Sequence, residues 1–296
     1  NQTLATGGMS EVWPGICDYF TKEELREMGL PADEIIKEYK EVSDLINLDN
    51  KPQLDIHGKI ILEASRDVYI LPTAQTYHTS SIVEKFKNYK NFTHFPNQLV
   101  LRAENKNAYV KIHTLSLKGG DELIFKAKIL ILAAGSINTT RILLRSFNLY
   151  NYKVPFLTKK YYAIVCLNIK SFKKALTVKN TGQVAISNND YFIQFYKFNP
   201  NSFHKALPFF PFSKLSLFIL KFLAKYLVIS DVRFPTNESK EKFMMLKKQN
   251  DKDFLEINFQ YKDTESQKHK RQIKKIIQKL TSFGLIPLKT IKGDVT

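Results

Sequence analysis

A chain of 296 residues that is 44% hydrophobic has the material for one large core or two moderate ones, which excludes disorder as its ordinary state. Its net charge of +17 raises polyanions as partners. The lysines are nevertheless spread among many Asn, Ile, Phe and Tyr, without helix-turn-helix or zinc-finger spacing, so no nucleic acid is expected as a partner. Two distant cysteines, Cys17 and Cys166, and six scattered histidines leave disulfide frameworks and metal sites without support.

No charged n-region precedes an apolar h-region and a cleavage site, so a cytoplasmic location is expected. Residues 1–20 open on Gly7 and Gly8 and run through EVWPGICDYF, where Pro14 and Gly15 prevent a continuous helix. This reads as a loop. Thr21 with Glu24 makes a capping box for a short helix ending near Gly29. Asp33 starts a second helix, with Ile35, Ile36, Tyr39, Val42, Leu45 and Ile46 on one face.

From Lys59 the pattern becomes extended, through KIILEA, YILPT, QLVLRAE, YVKIHTLSL and ELIFKAKILILAA, with turn residues at Asn105–Asn107 and at Gly119 and Gly120. A β-meander therefore feeds a long strand from Leu123 to Ala134. That strand is too apolar near its end for a wet face and suits a position covered on both sides in an α/β layer. Ser136 or Asn138 caps the following helix, which carries Ile142, Leu143 and Leu144.

Beyond about residue 150 the composition shifts toward aromatics and lysine, with strand-like pieces at YYAIVCLNI, GQVAIS and YFIQFYKF. Two domains are expected, over 1–150 and 151–296. Residues 207–229 form the most apolar window, yet Lys214, Lys221 and Lys225 interrupt it at spacings of seven and four and so share one helix face. Such a helix either packs on the core or lies in a membrane interface, which adds a membrane-peripheral option to the cytoplasmic one. FLEINFQY then gives a strand, and Ile273, Ile276, Ile277 and Leu280 the inward face of a helix stopped near Gly284.

Two segments have the composition for chemistry. In GGMSEVW the paired glycines let backbone approach a phosphate or a ring closely, Ser10 can donate to an oxygen, and Trp13 can pack an apolar ring system. In LAAGSINTTRILLRS, residues 132–146, an apolar run stops on Ala-Ala-Gly-Ser and restarts as a helix. A strand end leading into a helix start turns free amides and the positive end of the helix dipole toward an anion.

Together these segments resemble the glucose-methanol-choline family of FAD-dependent oxidoreductases, and the likeness extends more loosely over most of the chain. The resemblance implies an α/β fold, α+β overall, with a partial Rossmann-like FAD-binding domain and a substrate-binding domain built on an antiparallel sheet. It places Gly7, Gly8, Ser10, Val12, Trp13, Val100, Ala134, Gly135 and Ser136 at the cofactor. Val12 stands where some members carry a flavin-linked histidine, so FAD is expected to be non-covalent. Val100 stands where a family strand meets the adenine. Glu11 and Pro14 depart from the family's loop. The implied reaction oxidises a CH–OH group of a sugar or sugar-like alcohol by hydride transfer to flavin, with the electron acceptor left open.

Two parts of such an enzyme are not in this sequence. No GxGxxG follows an early strand, and no late histidine followed by His or Asn occurs. The resemblance therefore implies a segment of a longer enzyme, with no catalytic residue named within it. The charge leaves a competing reading, a basic nucleic-acid-binding or catalytically inactive binding protein on a nucleotide-binding fold.

Overall fold

The computed structural model describes residues 8–13, 15–74, 79–157, 160–172, 182–198, 223–235, 240–250, 252–260 and 263–293. In chain order the helices are α1 (Lys22–Glu27), α2 (Ala32–Leu45), α3 (Ile56–Ala64), α4 (Thr79–Phe86), α5 (Gly135–Ser146) and α6 (Asp263–Ser282). The strands are β1 (Leu48–Asp49), β2 (Tyr69–Leu71), β3 (Thr73–Ala74), β4 (Gln98–Lys106), β5 (Tyr109–Ser116), β6 (Glu122–Ala127) and β7 (Lys153–Pro155), followed by β8 (Lys160–Asn168), β9 (Gln183–Ser187), β10 (Phe192–Lys197), β11 (Leu227–Phe234), β12 (Lys242–Gln249), β13 (Lys252–Phe259) and β14 (Leu285–Gly293). The fold is mixed α/β with antiparallel sheets. Two compact bodies interleave along the chain: Asn1–Ser80, Lys159–Pro235 and Gln267–Thr296 form one, Ser81–Thr158 and Thr236–Ser266 the other.

The first body is built on a six-stranded sheet in the order β14-β8-β11-β10-β9-β2. Alternation along each strand sends every second side chain to one face. On that face Ile164 and Cys166 of β8, Val228 and Val232 of β11, Ile193 and Phe195 of β10, and Val184 and Ile186 of β9 share a core. Helices α3 and α6 cover it through Ile61 and through Ile273, Ile276 and Leu280, as the 3.6-residue spacing of the last helix predicts. Gly284, at φ +86°, ends α6 in the left-handed conformation that glycine adopts without strain.

The KIILEA segment is not extended. It lies in α3, where the Asp55 carboxylate accepts from the Gly58 amide at 2.8 Å and so caps the helix start. A short apolar run fits a buried helix as well as a strand, and here the cap decides. The reading of α1 holds: Thr21 and Glu24 make both reciprocal bonds of the capping box. In α2 the apolar face does not reach a core, for Ile36, Val42 and Leu45 are exposed.

The second body contains the β4-β5-β6 meander and a three-stranded sheet in the order β13-β12-β7. The expected long strand from Leu123 to Ala134 stops at Ala127. Its ladder with β5 ends at the Val110–Ala127 pair, one residue from the start of β5, so the remaining apolar residues have no ladder to join among the described residues. Ile129 and Ile131 are left 79% and 83% exposed. The cap of α5 also differs from expectation, since Ala134 occupies the N-cap position and makes no side-chain cap bond.

Most of the 207–229 window, through residue 222, lies outside the described residues. From Ala224 to Tyr226 the chain makes a 3-10 turn, and Leu227 to Ile229 are already in β11. Among the described residues no helix is long and apolar enough to cross a membrane.

Candidate functional site

The residues expected at the cofactor fall into two groups, one in each body. In the first body Gly8–Val12 is a short 3-10 turn, while Gly7 lies outside the described residues. Gly8 has φ +60°, and the space where a side chain would stand is open. The hydroxyls of Ser10 and Thr79 share a hydrogen bond of 2.6 Å. The Glu11 carboxylate accepts from the Ser80 amide at 2.8 Å and from the Ser80 hydroxyl at 2.6 Å. Glu11 is thus engaged at the positive end of α4, where a carboxylate is stabilised. Val12 closes the turn, and Trp13 is 37% exposed.

The segment that follows is pinned to the strand beyond β2. The Ala74 amide donates to the Gly15 carbonyl at 2.7 Å, and the Cys17 amide to the Pro72 carbonyl at 2.9 Å. Gly15 has φ +76°, and a Cβ there would lie 2.6 Å from the Ala74 oxygen, so only glycine fits.

In the second body Val100 is half-buried in β4, pairs with Thr114 and directly precedes a bulge. Ala134, Gly135 and Ser136 are exposed at the start of α5. Gly135 has φ +77° and open space in place of a side chain. Ala134 makes no cap bond to the exposed start of α5, and the first-turn amides and positive dipole end of a helix are the groups that can receive an anionic oxygen.

The other end of α5 is held firmly. Arg145 grips Asp253 of β13 through two hydrogen bonds, one from Nε at 2.6 Å, and Arg141 approaches the same carboxylate at 3.5 Å. The Arg145 guanidinium holds the Asp253 carboxyl below the usual carboxylate range. Ser146 ties the helix to β4 by accepting from the Ala103 amide at 2.8 Å.

A third group, not singled out in the sequence, occupies the sheet face of the first body opposite its helix-covered core. Gln183 of β9, Gln194 of β10 and Asp231 and Arg233 of β11 form a continuous row. Arg233 donates to Asp231 Oδ2 at 2.8 Å and to Gln194 Oε1 at 3.2 Å, and Gln194 Nε2 donates to Gln183 Oε1 at 2.5 Å. Gln194 and Asp231 are buried, and Asp231 Oδ1 is buried with no hydrogen-bond partner among the described residues. Burial and the Asp231 charge push the nearby Tyr196 phenol up to about 12. At the sheet edge the Tyr69 hydroxyl donates to Asp18 at 2.7 Å, and burial with that carboxylate raises its pKa as well.

The row alternates carboxylate, guanidinium and carboxamides, with protonated phenols nearby. Such a face can exchange several hydrogen bonds with a hydroxyl-rich ligand. The signal was present in the sequence as pairs of polar residues two apart, Gln194 with Tyr196 and Asp231 with Arg233, which the pairing of β10 with β11 places on one face.

Of the histidines, His57 has a structural role. Its Nε2 donates to the Lys225 carbonyl at 3.0 Å, and its Nδ1 accepts from Asn168 at 3.2 Å. Burial lowers its pKa, which favours the neutral ring. Among the described residues no group of three or more His, Cys, Asp or Glu side chains could hold a metal ion. No family model matches the chain, and no match was found among curated proteins.

Proposed function

We propose that this chain serves an FAD-dependent oxidoreductase of the glucose-methanol-choline type, acting on a CH–OH group of a sugar or sugar-like alcohol, with FAD held non-covalently. The observation that carries the reading is the exposed start of α5, entered through Ala134 and Gly135 and backed by the Arg145–Asp253 clamp. The donors fit the cofactor: the Gly135 and Ser136 amides would hold pyrophosphate oxygens, and Gly135 leaves room for close approach. Val100 would meet the adenine from β4.

FAD, when bound, would take the hydride from the carbinol carbon and pass its electrons to an acceptor. The chain's own part is to bind and orient. The row from Gln183 to Asp231 would bond the hydroxyls of the substrate, which supports a polyol over an apolar alcohol.

The test starts with the full-length gene product, purified gently and examined for the flavin absorption band. Gly135→Asp sets a carboxylate beside the amides and is expected to weaken FAD binding about tenfold or more, the effect of one close like-charge contact. Gln194→Leu is expected to raise KM for a polyol substrate with flavin content unchanged. A product that carries no flavin and fails to take up added FAD would end this reading.

A further inference from the structure

From the end of α4 the chain reads KFKNYKNFTHF, with aromatic rings at every third position, 86, 89, 92 and 95, and lysines at 85, 87 and 90. Successive tight turns convert that spacing into a cluster. The Tyr89 amide donates to the Phe86 carbonyl at 2.9 Å and the Phe92 amide to the Tyr89 carbonyl at 3.1 Å. The Phe86 ring accordingly meets Tyr89 and Phe92 edge-on, at centroid distances of 5.9 and 5.6 Å. The rings, with Asn91, line an open cavity of about 260 Å³. Phe95 is held in place against Phe125, 4.8 Å away.

Phe86, Tyr89 and Phe95 are nevertheless 46%, 60% and 57% exposed. Phe86 and Tyr89 thus share one ring cluster that stands in water, with Phe95 exposed a few residues on. Lys85, Lys87 and Lys90 are exposed around them. Glu84 is matched to Lys87 at 2.6 Å, so the segment keeps a positive balance.

We propose that Lys85–Phe95 docks the protein on an anionic lipid bilayer, the aromatic cluster entering the headgroup level and the surrounding lysines meeting lipid phosphates and carboxylates. The chemistry of the patch selects this occupant. Aromatic bodies settle at the bilayer interface, and long lysine side chains reach the headgroups from beside them. A single-stranded nucleic acid needs separate ring faces for successive bases, whereas here Phe86 is closed edge-on by two neighbours. A cationic ligand, which an aromatic cluster could otherwise hold, is repelled by the lysines. The inference is independent of the flavin reading.

The experiment is co-sedimentation of the full chain with vesicles of phosphatidylcholine alone and of phosphatidylcholine with phosphatidylserine. Binding is expected to the second and to weaken about fivefold for each lysine neutralised in Lys85→Gln and Lys90→Gln. The variant Phe86→Ser/Tyr89→Ser is expected to lose the part of binding that survives high salt. A Tyr89→Trp variant reads insertion directly, with quenching of its added emission by brominated acyl chains. The surface lysine variants keep the test decisive where the aromatic pair fails to fold. Equal recovery in the supernatant with both vesicles, pelleting that the lysine variants do not weaken, or an unquenched Trp would each overturn the proposal. So would displacement from vesicles by a single-stranded oligonucleotide whose own binding is lost in the same variants.

Discussion

Replacing Asp253 by Asn removes one charge from the clamp that holds α5 and changes side-chain volume little. Arg145 and Asp253 are each 15% exposed at the side chain, so the loss leaves a largely buried guanidinium facing an amide. Breaking a pair of that kind costs about 3 kcal/mol. Arg141 is more than twice as exposed, and its share is under about 1 kcal/mol. The urea midpoint at pH 7 should therefore fall by the equivalent of about 3–4 kcal/mol at an unchanged slope. The pH dependence supplies the second reading. Because the folded pKa of Asp253 is depressed, its contribution is complete above the ordinary value near 3.8 and is lost as pH falls through the lower folded value. The wild-type and Asp253→Asn stability curves should converge on acidification through that window. A loss below about 1 kcal/mol at pH 7, the range of surface bridges, or two curves that stay parallel into acid, would refute the reasoning.

Gly15→Ala puts a methyl group 2.6 Å from the Ala74 oxygen at φ +76°; thermal unfolding should show a loss of about 1–3 kcal/mol, and an unchanged midpoint would mean that the segment does not need this turn. Asp55→Ala removes the buried cap of α3 and should cost about 1–2 kcal/mol in the same assay, whereas a neutral outcome would return the start of α3 to propensity alone. Burial pushes the Cys166 thiol up to about 12 and raises that of half-buried Cys17 as well. A thiol reagent at pH 7 should label Cys17 slowly and Cys166 only after unfolding, and rapid labelling of both thiols in the folded protein would contradict the packing around β8.

The features legible in the sequence are those set by neighbours a few residues away. Thr21 and Glu24 satisfy each other's backbone within one turn, and the isoleucines of α6 mark its buried face by their spacing, so both could be read directly. The meander was legible because each of its turns joins adjacent strands. Residues 128–134 have strand composition, but a strand also needs a partner, and composition does not say where pairing stops. Ile36, Val42 and Leu45 were aligned correctly on α2 without any indication of what they would face. The row on the sheet face away from the helices required β9, β10 and β11 to pair, and Gln183 and Arg233 lie too far apart in the chain for a local pattern to join them.

The position of β14 has a consequence for how the protein is made. It runs beside β8 from Leu285↔Asn168 to Gly293↔Tyr161, and α6, which covers the core, also belongs to this late stretch. During translation at ordinary rates β8 leaves the ribosome on the order of ten seconds before its neighbour. The meander can close as soon as residue 127 emerges, while the larger sheet waits with one hydrogen-bonding edge open and its apolar face covered by α3 without α6. For that interval the nascent first body is a target for holding chaperones and a nucleus for aggregation. Slower elongation or a substitution that weakens β14 should thus reduce soluble yield more than it reduces the stability of protein already folded.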